Sequence, residues 1–315
     1  MVRDIMKNIL VTGSSGFLGR SVMRKLESLE ANVVGLGGRG DWDLRKQKHV
    51  EYVLQDHQPD VVIHLAAACG GIGINQEQPG KFMHDNLCMG MNLIEGCRKY
   101  NKLEKFVMIG SVCSYPKFTE VPFKESDLWK GYPEETNAPY GIAKKALMEL
   151  LYAYYKQYGM QSTTLIPTNM YGPNDNFDPF SSHVIPAIIN KVQHALDKGS
   201  DVISLWGTGT ASREFLYVDD CAEFIARACY NKSNPEPINI GTGKEITIAD
   251  LAHKITSIMG WDGIILWDDN KPDGQPRRCL DTTRSKEVFG LDAETSLELG
   301  LLKTIRWFRN QRDVK

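Results

Sequence analysis

The feature that most restricts what this chain can fold into is a strand, a glycine turn and a helix in immediate succession near its start. Asn8-Ile9-Leu10-Val11-Thr12 is a short apolar, β-branched run. Gly13-Ser14-Ser15-Gly16-Phe17-Leu18-Gly19 follows directly, and Val22, Leu26 and Leu29 then recur at helical spacing. Glycines at such a junction let the backbone turn sharply and approach a pyrophosphate, while N–H groups at the helix start meet its charge. The spacing, G-x-x-G-x-x-G, predicts a βαβ unit that binds a dinucleotide through Gly13, Ser15, Gly16, Phe17, Leu18 and Gly19.

The same alternation continues through the first half. Apolar runs at Ile9–Thr12, Val33–Leu36, Val61–His64, Phe106–Ile109 and Thr163–Ile166 predict strands, with amphipathic helices near 16–30, 47–57, 80–100 and 141–158. This order predicts an α/β fold of Rossmann type, a doubly wound parallel sheet with helices on both faces. After Pro167 the pattern is irregular, with turn-rich stretches at Gly172-Pro173-Asn174-Asp175-Asn176, Gly207-Thr208-Gly209-Thr210 and Lys271-Pro272-Asp273-Gly274, and a last helical stretch near 296–310. The expected division is residues 1–167 for the dinucleotide and 168–315 for a smaller, loop-rich α/β substrate lobe, with segments near 206–240 returning to the first.

Composition narrows the class. A chain of 315 residues buries about three-quarters of its unfolded surface. Its net charge of −2 provides no basic footprint for nucleic acid. No apolar stretch reaches the roughly 18 residues of a membrane span, and Met1-Val2-Arg3-Asp4-Ile5 lacks a secretory signal's apolar core, so a cytoplasmic location is expected. The seven cysteines (69, 88, 97, 113, 221, 229, 279) are scattered without a C-x-x-C pair and read as reduced thiols. Six histidines (49, 57, 64, 84, 194, 253) have no metal-like pairing, and no metal is expected.

Chemistry is concentrated in Tyr140 and Lys144. Spaced Y-x-x-x-K on one helix, the ammonium stands one turn beyond the phenol on the same face. A cation there favours the phenolate, so the phenol is expected to release its proton more readily than an isolated tyrosine of pKa about 10. Ser111 follows the apolar run 106–109, where its hydroxyl can hold a substrate oxygen beside the phenol.

Taken together, Gly13-x-x-Gly16-x-x-Gly19, Leu65-Ala66-Ala67-Ala68, Ser111 and Tyr140-x-x-x-Lys144 resemble the extended short-chain dehydrogenase/reductase family acting on nucleotide sugars. Gly70-Gly71-Ile72, Ser111-Val112-Cys113-Ser114-Tyr115-Pro116-Lys117, the segment Pro167-Thr168-Asn169-Met170-Tyr171-Gly172-Pro173-Asn174-Asp175-Asn176-Phe177, Ser182-His183-Val184-Ile185-Pro186 and Arg213-Glu214-Phe215 are similar to its GDP-L-fucose synthase group, from about residue 7 to about 310. That resemblance implies 3,5-epimerisation and 4-reduction of GDP-4-keto-6-deoxy-mannose with NADPH. Cys113 and His183 would be the acid and base of epimerisation, and Ser111, Tyr140 and Lys144 the reducing set. Relatives acting on other GDP-4-keto sugars share these residues, and only pocket shape chooses among substrates.

Remaining assignments follow from the same resemblance. The second strand runs into Gly37-Gly38-Arg39, where NAD enzymes of this fold usually carry an acid about 20 residues after the turn. Arg39 therefore points to a 2′-phosphate and NADP(H), although Asp41 keeps NADH open. Asp43, Leu44, Leu65, Ala66, Ala67, Pro167, Asn169 and His183 are expected at the cofactor, besides Tyr140 and Lys144. Asn169, Val184, Lys191, Trp206, Arg213, Lys271 and Asp273 are expected at the nucleotide sugar. Phe82, Met83, Met91, Leu151 and Tyr155 are expected to build a homodimer interface.

Overall fold

The structure, a computed structural model, describes residues 6–38, 40, 42–271 and 273–313. Six strands form one parallel sheet in the order β2-β1-β3-β4-β5-β9. They are β1 (Lys7–Thr12), β2 (Ala31–Leu36), β3 (Val61–His64), β4 (Lys105–Ile109), β5 (Ser162–Pro167) and, from much later in the chain, β9 (Asn234–Ile240). The intervening helices are α1 (Phe17–Leu26), α2 (Gln47–His57), the short α3 (Ile72–Glu77), α4 (Pro79–Tyr100) and α5 (Ala138–Tyr158). Every residue of β3 and β4 is buried, as expected of strands covered on both faces.

Alternate side chains of each strand feed two cores. Ile9, Val11, Ile63 and Val107 pack with α1 and with α7 (Val218–Tyr230) on one face. Leu10, Val62, Phe106 and Met108 pack with α2, α4 and α5 on the other. This second core takes Leu151, and Phe82 is buried as well. Both residues therefore leave the expected subunit interface, because α4 and α5 lie between the sheet and each other and need apolar residues on two faces.

Between the expected turns, which the structure keeps free of helix and strand among the described residues, the second half is more regular than its sequence reads, and its last helical stretch is present as expected. Its elements are β6 (Asn169–Tyr171), α6 (Val184–Lys198), β7 (Val202–Trp206), β8 (Ser212–Tyr217), β10 (Glu245–Thr247), α8 (Ile248–Met259), β11 (Ile264–Asp268), α9 (Thr283–Phe289) and α10 (Leu297–Asp313). β8 pairs with β6 in parallel and with β10 antiparallel, while β7 and β11 form a separate parallel pair. A third core built on Ile188, Val192, Phe215, Leu251 and Ile305 holds this lobe together.

Asn239 on β9 ties the distant parts of the chain. It is fully buried; its Nδ2 donates to the carbonyls of Phe123 at 2.9 Å and Asp281 at 3.2 Å, and its Oδ1 accepts from the Tyr115 hydroxyl at 2.7 Å. Asn239→Ala removes the acceptor of the buried Tyr115 hydroxyl and a donor to the Phe123 and Asp281 carbonyls, and is expected to lower stability by about 2–3 kcal/mol. Urea unfolding should show a lower midpoint at unchanged slope; an unchanged midpoint would show that these groups find other partners.

Candidate active site

At β1 the strand order reverses, with β2 on one side and β3 on the other, and in open α/β sheets ligands bind beyond the carboxyl ends at such a switch point. Here the strand ends open into one cleft of about 1300 Å³ that reaches from the glycine turn to the second lobe. At its first end, Gly13 turns the chain in the left-handed region at φ 71°. Gly16 caps α1 with extended backbone and no side-chain partner. A Cβ on Gly19 would stand 2.1 Å from the Gly13 carbonyl oxygen, so only glycine lets the helix start this close to the turn. The amides of Phe17, Leu18 and Gly19 have no acceptor within their own helix and face an anion site, which fits a dinucleotide diphosphate.

Ser15, Asp43, Leu44, Leu65, Ala66, Ala67 and Pro167 line the same cleft. Asp43 is already paired: Arg45 donates to it through Nε at 2.9 Å and Nη2 at 2.8 Å, holding its carboxyl down to about 2. Arg39 and Asp41 lie outside the described residues.

The centre of the cleft is built where β4 ends. Ser111 opens a short turn over Val112–Ser114 and its Oγ accepts from the Cys113 amide at 3.2 Å. α5 packs so tightly on this turn that a Cβ on Gly141 would lie 2.3 Å from the Cys113 carbonyl oxygen. This approach brings Tyr140, in the first turn of α5, into hydrogen-bonding contact with Ser111. One turn on, Lys144 is buried and donates to the Ile109 carbonyl at 2.9 Å. Burial lowers its ammonium to about 8, so it still carries its proton at neutral pH.

Tyr140 does not behave as the spacing predicts. Burial raises its phenol well above 10, the nearby Cys69 and Cys113 thiols push it further up, and the Ser111 hydrogen bond only partly offsets this. Lys144 stands 5.9 Å from the centre of the tyrosine ring and gives its hydrogen bond to Ile109 instead. Desolvation thus exceeds the cation's pull, and the phenol is held as a proton donor.

Cys113 and His183 also line the cleft, together with a residue the sequence reading missed. Arg278 is buried; its Nη1 reaches the Cys113 sulfur at 3.7 Å and Asn169 Oδ1 at 3.5 Å, and its Nε reaches Gln275 Oε1 at 3.2 Å. His183 precedes α6. The cleft walls desolvate its imidazole and the Arg278 guanidinium repels the imidazolium, so both lower its pKa. The neighbouring Arg277 faces outward and pairs with Glu245, and sequence offers no means of telling which of two adjacent arginines turns in.

Cations gather at the far end. Burial first, and repulsion from Arg278 second, lower Arg213 to about 9; its guanidinium donates to the carbonyls of Ser212 and Asp273, at 2.7 and 2.9 Å. Lys191 donates to the Ser204 carbonyl at 2.6 Å, and Val184 and Trp206 complete the wall. Asp273 lines the cleft as well. The Asp273 carboxylate is engaged by the Thr208 amide and hydroxyl, each at 2.8 Å, because it closes the Gly207–Thr208 turn. Lys271 is off the cleft wall, its ammonium 5.3 Å above the Trp206 ring. Among the described residues no group of three or more His, Cys, Asp or Glu side chains could hold a metal ion, and no helix is long and apolar enough to cross a membrane.

Residues 9–241 match the model of the NAD dependent epimerase/dehydratase family. The chain belongs to that family. It is 42% identical over 302 residues to a GDP-L-fucose synthase of Sinorhizobium fredii, covering 96% of this chain and 95% of that one. It is 35% identical over 307 residues to a GDP-L-colitose synthase of Yersinia pseudotuberculosis, covering 97% and 99%. The fold matches a crystal structure of a GDP-L-fucose synthetase from Naegleria fowleri bound to NADP with a TM-score of 0.88 at 27% identity, over 99% of this chain and 96% of that chain.

For this epimerase/dehydratase family member, Gly19→Ala forces its new methyl against the Gly13 carbonyl. Overpacking of this kind costs about 1–3 kcal/mol, and dinucleotide affinity in a fluorescence titration should fall correspondingly. Unchanged affinity would remove the turn from the binding site.

Proposed function

We propose that this protein converts GDP-4-keto-6-deoxy-D-mannose to GDP-L-fucose with NADPH, inverting C3 and C5 and then reducing C4. The observation that carries this reading is the convergence on one cleft of a phenol, a thiol and an imidazole, beside cations that hydrogen-bond no carboxylate among the described residues. The 42% identity to a GDP-L-fucose synthase supports the substrate, and the NADP-bound relative supports the cofactor.

A C4 ketone acidifies the hydrogens on C3 and C5, since losing either places the electron pair on the C4 oxygen as an enolate. The Cys113 sulfur takes the proton, and His183 returns one from the opposite face. The proton gained by the thiol then passes to the imidazole through solvent, which resets the pair. Bound NADPH supplies the hydride that reduces C4. Tyr140 gives its phenolic proton to the C4 oxygen, Ser111 holds that oxygen, and the Lys144 ammonium steadies the phenolate left behind. Arg213, Lys191 and Arg278 hold the diphosphate, Trp206 and Val184 flank the guanine, and Arg39 meets the 2′-phosphate. The 35% identity to a GDP-L-colitose synthase favours, as second reading, a 3,6-dideoxy substrate in the same site.

The deciding experiment incubates the protein with GDP-4-keto-6-deoxy-D-mannose in D₂O without NADPH. Deuterium should enter C3 and C5 in wild type and be lost in Cys113→Ser. Tyr140→Phe should keep the exchange but reduce C4 about 10²–10⁴-fold more slowly. Direct C4 reduction with no deuterium uptake would leave a reductase only and return Cys113 and His183 to structural roles.

The same reading includes a homodimer and a cytoplasmic location. Met91 on α4 and Tyr152 on α5 are exposed apolar side chains on two helices that pack together, which supports pairing through these helices. All seven cysteines are free, which fits a reducing compartment. Light scattering should find twice the chain mass of 35.4 kDa; the mass of one chain at working concentration would overturn the dimer.

A further inference from the structure

The turn after β3 grips the loop that leads to His183. The Gly71 amide donates to the Ser181 carbonyl at 3.0 Å, and a Cβ on Gly71 would stand 2.6 Å from the Ser182 carbonyl oxygen. Asn75, only 5% exposed and, like Gly71, on the cleft wall, donates Nδ2 to the carbonyls of Gly70 at 2.7 Å and Gly71 at 3.0 Å, fixing the turn. The gripped loop is itself ordered: Asp178 Oδ1 accepts from the Phe180 amide at 3.0 Å and from the Ser181 amide and hydroxyl, each at 2.9 Å. His183 follows at once with extended backbone, and its side chain makes no capping bond that would anchor it to α6. Its place in the cleft is therefore set by where Ser181 and Ser182 are held.

We propose that Gly71 and Asn75 are positioning residues for inversion, clamping the 178–182 loop to the first lobe so that His183 faces the sugar from the side opposite Cys113. The inference rests on the epimerase/reductase reading above. Neither residue contacts Ser111, Tyr140 or Lys144 in the hydrogen-bond network of the cleft, so reduction is separable from inversion. At position 71 a methyl meets backbone on the other side of the contact, and one of the two segments must move. Asn75→Asp keeps the side-chain shape but replaces the donor with a carboxylate facing two carbonyl oxygens, which loosens the turn without adding bulk.

The test compares wild type, Gly71→Ala and Asn75→Asp for three quantities: inversion at C3 and C5, the rate of C4 reduction, and the His183 imidazole pKa by NMR without substrate. Misplacement of a reacting group by about 1 Å costs on the order of 100-fold. The variants should lose about 10- to 100-fold in inversion, still take up deuterium through Cys113, and yield sugar reduced at C4 with C3 and C5 unchanged. Reduction should stay within about twofold of wild type, since its residues are untouched. The His183 pKa should rise toward its ordinary value as the loop opens to water.

Wild-type inversion and an unmoved His183 pKa in either folded variant would overturn the clamp alone. Equal losses of inversion and reduction would also overturn it, since they indicate general damage. If Gly71→Ala fails to fold, Asn75→Asp decides. If wild type neither exchanges nor inverts, the functional reading falls, and the His183 pKa in the variants then judges the clamp by itself.

Discussion

The contact of α5 with the turn after β4 is the constraint on which the rest of the site depends. A helix reaches that turn only because Gly141 has no side chain, and it is held there from two sides. Ser114 donates its hydroxyl to the Gly141 carbonyl at 3.1 Å, and buried Lys144 donates to the Ile109 carbonyl at 2.9 Å. A buried ammonium without such an acceptor would be costly, so the bond that satisfies Lys144 also fixes how far α5 slides along β4. Ser111, Cys113 and Tyr140 come into register as a result.

Burial then sets the chemistry. The same desolvation that keeps Tyr140 protonated lowers Lys144 and Arg213 to about 8 and 9, and lowers His183 as well. For the cations the shift is toward neutral pH, while for the phenol it is away from it, so Tyr140 stays protonated until negative charge develops on an oxygen beside it. The buried His64 follows the same logic without a role in the reaction: held at about 3 by burial and by Lys144, it is neutral and bonds Thr12 at 2.9 Å, bracing β1 against β3 just beneath the glycine turn.

Much of the first half is legible because its elements are long enough to show a period. α2 spans 47–57 and β3 spans 61–64, as their patterns predict. β6 and β10 have three residues each, too few for alternation to register, and they read as loops. α4 and α5 read as helices, but Phe82 and Leu151 are interior rather than on the expected subunit surface, since periodicity marks an apolar face without naming what covers it.

The sequence by itself determined the glycine turn, the sheet it opens, and the types of side chain available for proton transfer, because these depend on local backbone preference and short spacing. Tertiary structure alone decided that Arg278 turns inward while Arg277 pairs with Glu245, that Asp273 closes a turn, and that Gly71 grips the loop before His183. Each of these depends on segments tens to more than a hundred residues apart meeting at one point. Spacing along a chain carries no information about which distant carbonyl, sulfur or amide will be waiting there, and the balance of burial against charge at Tyr140 exists only once those segments have met.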